Sequence, residues 1–159
     1  MERLDRLVLC ALTLLVAGGC EAFQREPRPR FAEDLGPDRL EVEALARYPD
    51  EIQRDYTVFA MRCSKCHTPA RPLNSANASP QIWAKYVTEM WRKTGSGISH
   101  RDMQQILAFL AYDSKVRKLD HRAEFEAHRR RLLEAFKQQE PAAYEELYAG
   151  REDEAVRVR

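Results

Sequence analysis

Asp50-Glu-Ile-Gln-Arg-Asp-Tyr-Thr-Val-Phe-Ala-Met-Arg62 runs directly into Cys63-Ser-Lys-Cys66-His67, and this junction decides how the chain folds. Ile52, Tyr56 and Phe59 fall at i, i+4 and i+7, which is one face of a helix. Pro49-Asp50 ahead of them suits a helix start. The spacing predicts a helix over 50–62 with two thiols and an imidazole at its end. A thioredoxin-like redox pair wants a βαβ setting, and these surroundings are helical. Half of a zinc site wants a second C-x-x-C or a close histidine pair, and none follows. A disulfide between cysteines so close in sequence closes a trivial loop and gains little.

The pentapeptide matches C-x-x-C-H, the attachment signature of c-type haem. Two thiols at this spacing reach two vinyl groups on one edge of a flat porphyrin. The next residue, His67, is then placed beneath the ring to bind iron. Cys63, Cys66 and His67 are therefore the expected cofactor-binding residues for one covalent haem c. A covalently held haem also supplies core to a domain too small to bury much surface unaided.

The N-terminus agrees with chemistry outside the cytoplasm. Arg3 and Arg6, offset by Glu2 and Asp5, precede thirteen uncharged residues from Leu7 to Gly19. A spanning helix needs roughly 20 apolar residues, so the run suits an export signal. Ala17-Gly-Gly-Cys20 resembles the lipobox of bacterial lipoproteins, with Ala17 where leucine is usual. That resemblance implies cleavage before Cys20, loss of Cys10 with the signal, and acyl chains on Cys20 that hold the protein at a membrane. Pro27, Pro29, Pro37 and Pro49 interrupt the next stretch, which reads as a tether reaching roughly 30 Å, with a short helix available at 40–47. With 26 basic against 25 acidic residues, the chain has no basic excess to favour nucleic acid as a partner.

Beyond the motif, Pro69, Pro72, Asn74, Ser75 and Asn77 predict a loop over 68–78. Ser79-Pro80 is an N-cap followed by proline at the first helical position, and that helix runs to about Lys93 with Trp83, Val87 and Met90 on one face. Gly95-Ser-Gly97 ends it. Ser99 and Asp102 form a capping box for the next helix, Ile98 and Met103 a hydrophobic staple, and Met103, Ile106, Leu107 and Leu110 a buried stripe. From Asp120 on, ten acidic and eight basic residues surround one narrow apolar face, Phe125, Leu132, Leu133 and Phe136, which predicts a helix to about Gln139. Pro141 breaks it, and 140–159 is expected to be frayed. No strand pattern occurs. The expected architecture is all-α, three or more helices around one haem with an additional C-terminal helix. Its parts are a lipoprotein signal (1–19), a lipidated tether (20–49), a haem domain (50–115) and a polar C-terminal helix with a flexible tail (116–159).

The stretch 50–113 resembles class I c-type cytochromes. It has a helix with an aromatic near its end, C-x-x-C-H, a proline-containing loop, Trp83-Ala-Lys-Tyr-Val87, Met90, Ile98-Ser99, Asp102, Ile106 and Phe109-Leu110. The resemblance implies that Met90, separated from His67 by 22 residues, is the distal iron ligand. Met103 is explained by packing, Met61 lies two residues before the motif, and His100 is the alternative for a bis-histidine haem. Pro69 or Pro72 is a candidate to offer His67 a carbonyl. Arg71 or Lys65 is a candidate partner for a haem propionate, and Trp83, Tyr86 or Trp91 for packing on the ring edge. With both axial positions filled, redox cycling is the remaining chemistry. The expectation is therefore an electron carrier rather than an enzyme, working between membrane and periplasmic redox partners. The alternative is an accessory subunit of a respiratory or photosynthetic membrane complex, held through the 120–139 helix. An open sixth position would instead make a ligand sensor or peroxidase.

Overall fold

The computed structural model describes residues 28–159. The expected signal, the lipobox and Cys20 lie outside the described residues. Within them the chain is all-helical, with no strand. A 3-10 turn at Ala32–Leu35 comes first, then α1 (Val42–Leu45), α2 (Asp50–Cys63), α3 (Ala70–Asn74), α4 (Pro80–Arg92) and α5 (His100–Asp113). A π-helical turn, Ser114–Leu119, leads to α6 (Arg122–Gln139), α7 (Pro141–Leu147) and α8 (Glu152–Val156).

The main core forms where α2 and α4 pack on α5. Phe59, Trp83, Val87, Ile106, Phe109 and Leu110 are buried there with Leu40, Tyr48 and Leu73. Phe59 and Phe109 meet at 4.7 Å between ring centroids, and Tyr56 stacks beside both. The local chemistry that starts these helices is as the sequence predicts. Ser79 Oγ accepts from the Ile82 N–H at 3.3 Å. Ser99 Oγ accepts from the Asp102 N–H at 3.1 Å, while the Ser99 N–H donates to Asp102 Oδ2 at 2.8 Å. Ile98 and Met103 both pack against the main core.

Three expectations are corrected. The part of the expected tether that is described, 28–49, is docked on the domain. Ala32, Leu40 and Tyr48 are buried, and Asp34 pairs with Arg71 at 2.8 Å. The loop over 68–78 contains a helical turn, α3, because Leu73 and Asn74 are pulled inward. The tail is folded: Phe136 and Leu133 of α6 pack with Ala32, Tyr144, Tyr148 and Val156 in a second core. A third small cluster joins Ala78, Phe125 and Val158, and Arg159 exchanges backbone hydrogen bonds with Ala76 and Ala78. The apolar face of α6 is therefore consumed inside the chain. A partner meeting α6 finds its charged face.

The boundary expected at 115 falls inside one continuous helical run, since α5 passes straight into the π-helical turn. Ser114 and Lys118 of that turn are fully buried. Ser114 Oγ accepts from the Trp83 indole N–H at 2.8 Å, which ties the turn to the main core.

Candidate haem-attachment site

The motif forms where α2 ends. The Cys66 and His67 N–H groups both reach back to the Cys63 carbonyl at 3.4 Å, so the five residues make one tight turn off the helix. Cys63 is half-buried against the main core, and Cys66 is exposed. Both are free thiols. Burial pushes the Cys63 thiol up to about 12, with Cys66 adding to the effect. Cys63 is thus held toward its protonated form by its burial.

His67 is oriented by one backbone contact. Its Nδ1 lies 2.9 Å from the Thr68 carbonyl oxygen, which only accepts, so Nδ1 carries the proton. Burial holds the imidazole pKa below its usual value; the Thr68 contact opposes this and Arg71 adds to it. The neutral ring then presents Nε2 as an unprotonated acceptor. An imidazole that gives its other N–H to a carbonyl is the usual arrangement of a metal-binding histidine.

The group facing Nε2 is the Tyr86 hydroxyl, which donates to it at 3.5 Å. Tyr86 is itself pushed well above the ordinary phenol range, first by burial and then by Cys63. Its ring meets Trp83 edge-on at 5.6 Å. Met90 lies one helical turn beyond Tyr86 on the same face of α4 and is half-buried. A haem on C-x-x-C-H needs two free thiols and a histidine with Nε2 unprotonated, and these residues meet that requirement. Arg62, next to Cys63 in sequence, has a buried Nε with no hydrogen-bond partner, while its Nη2 pairs with Asp102 at 3.0 Å.

Other sequence candidates take different places. Thr68, rather than Pro69 or Pro72, supplies the carbonyl to His67. Arg71 makes a two-pronged contact with Asp34, at 2.9 and 2.8 Å, and stacks on Phe31. Burial alone would raise the Asp34 carboxyl, but Arg71 and the Arg30 N–H hold it below the usual range. Lys65 reaches over Gly97, whose positive φ forms the turn between α4 and α5. Met61 is 52% exposed, and Trp91 sits at the surface edge-on to His100. Sequence reasoning missed the Tyr86–His67 contact, although Tyr86 stands beside Met90 on the helical face it used. Among the described residues no three His, Cys, Asp or Glu side chains gather in a way that would hold a metal ion.

Compared with family models, curated proteins and solved structures, the chain finds no match.

Proposed function

We propose that the protein is a monohaem c-type cytochrome that carries electrons between membrane and periplasmic redox partners. The observation that carries this reading is the His67 ring: Nδ1–H tied to the Thr68 carbonyl, Nε2 unprotonated with the Tyr86 hydroxyl on it, and two free thiols in the same turn off α2. Cys63 and Cys66 would hold the haem by thioether bonds, and His67 would be its proximal ligand. The haem supplies one-electron chemistry at its iron.

The chain's own residues do the rest. Thr68 fixes the imidazole plane and its tautomer. Cys63 packs against the core that holds Tyr56, Phe59 and Phe109. Met90, one turn from Tyr86, is the proposed distal ligand, and a thioether there favours the reduced state more than a second imidazole would. Cys20 is the proposed lipid attachment, which would keep the domain at the periplasmic side of a bacterial membrane and raise its effective concentration near membrane partners.

The deciding experiment is expression with a periplasmic haem-attachment system, followed by absorption spectra before and after reduction and with carbon monoxide. The expected result is a covalent, low-spin spectrum with the weak near-infrared band of an iron–sulfur bond and no response to carbon monoxide. Met90→Ala should lose that band and gain carbon monoxide binding. A parent protein that is high-spin or binds carbon monoxide readily would point to a sensor or peroxidase. Absence of covalent haem would sink the reading altogether.

A further inference from the structure

We propose that Lys118 is a positioning residue for this site: its ammonium ties down the backbone behind His67 and sets a fixed positive charge behind the Trp83–Tyr86 pair, which holds the site's reduction potential up. The inference rests on the haem reading above.

Lys118 is completely buried, on the inner side of the π-helical turn. Its Nζ donates to the carbonyls of Pro72, Ser75 and Asn77 at 3.1, 3.0 and 3.0 Å. Three acceptors need three N–H bonds. A neutral amine has two and a lone pair, which would face the third carbonyl. The contacts therefore describe an ammonium.

Burial pulls Lys118 toward the neutral form, with Arg117 and Arg129 adding to it, while Asp113 and Glu33 oppose it. Those carboxylates are fixed in place. Asp113 accepts from Tyr48 and Arg117, and Glu33 pairs with Arg129 of α6 at 3.0 Å. Arg117 also caps the Leu73 carbonyl, and Arg129 caps that of Asn74. The carbonyls of residues 72, 73, 74, 75 and 77 thus each receive a side-chain cation. The Arg71 N–H, next to this segment, donates to the Thr68 carbonyl at 3.3 Å, which joins the segment to the carbonyl that orients the imidazole.

The same ammonium sits 4.9 Å from the Trp83 ring centroid. Trp83 touches Tyr86, and the Tyr86 hydroxyl is 3.5 Å from His67 Nε2. Lys118 and Trp83 are both buried, so a charge there acts on the site more strongly than a surface lysine. A positive charge favours the form carrying one more electron.

The test is redox titration of the full haem-loaded chain carrying Lys118→Met, beside Lys115→Met, whose side chain is 69% exposed on the same turn. The expected result is a lower potential for Lys118→Met, a several-fold smaller reduced fraction at the parent midpoint, and no change for Lys115→Met. A folded Lys118→Met with the parent potential overturns the proposal. Should Lys118→Met not fold, Lys118→Gln takes its place, and side-chain nitrogen NMR of the lysine-labelled parent decides. A solvent-protected ammonium at pH 7 whose signal moves between oxidised and reduced protein supports the proposal; a neutral amine, or a signal indifferent to redox state, overturns it. Failure of the haem reading looks different: no covalent haem forms, while the haem-free chain still shows whether the Lys118 ammonium is protected.

Discussion

Asn74 carries more of the structure than its place among turn formers suggests. Its Nδ2 donates to the carbonyls of Ala70 at 2.8 Å and Pro37 at 3.0 Å, and its Oδ1 accepts from His128 at 3.1 Å. One amide thereby joins the N-terminal segment, α3 and α6. Gly36 lies flat against it, and a methyl group built on Gly36 would overlap the Asn74 side chain. Gly36→Ala should therefore cost about 1–3 kcal/mol by overpacking, although its φ of −81° suits any residue. Urea denaturation of the two proteins measures it, and an unchanged midpoint would refute the packing account. At this scale the candidate site was legible: Cys63, Cys66 and His67 stand out by spacing, and the structure places them in one turn. Lys118, Asp113 and Arg129 were not legible. A charged residue in a polar stretch reads as solvated, and only distant carbonyls and counter-charges make its burial tolerable.

Helices with their own start signals were legible, and those held by distant contacts were not. The capping box on α5 was visible in Ser99 and Asp102, and Asp102 also meets Arg62 at 3.0 Å, tying the start of α5 to the end of α2. Ser99→Ala should cost about 1 kcal/mol, read as a lower thermal midpoint, with Ser99→Asp retaining most of the stability. By contrast α7 and α8 have 7 and 5 residues. Helices so short do not form alone in water, and the sequence around Pro141 gave no reason to expect them. They exist because Phe136 and Leu133 offer a surface that Tyr144, Tyr148 and Val156 cover. Phe136 is fully buried, so Phe136→Ala should cost about 3–5 kcal/mol and release the C-terminal segment. Limited proteolysis should then cut within 140–159 before anything in α2 or α5. Cleavage no faster than in the parent would show that the tail is held by something other than this core.

For the molecule as a whole, two apolar cores meet through a polar seam of Asp113, Arg117, Lys118, Asn74, His128, Arg129 and Glu33, and that seam makes stability depend on pH. Burial lowers the His128 pKa below 6.5, and Arg131, Arg117 and Arg129 push it the same way. The unfolded chain keeps the ordinary value. Between the two values the unfolded state binds more protons, so stability rises with pH. The His128 contribution is thus present above 6.5 and is lost as pH falls toward the folded value. Asp34 and Asp102 act lower down. Their folded values lie below 3.8, Asp102 chiefly through the Ser99 N–H, so their contribution is present above 3.8 and is lost beneath it. Acidification should therefore weaken the protein in two separate steps. Urea midpoints at closely spaced pH values measure both, and His128→Asn separates them. The asparagine amide can still donate to Asn74 but takes up no proton, so the loss beginning at 6.5 should shrink to the share that His67 contributes, while the loss below 3.8 stays. An upper step of undiminished size in His128→Asn would place the proton elsewhere in the seam.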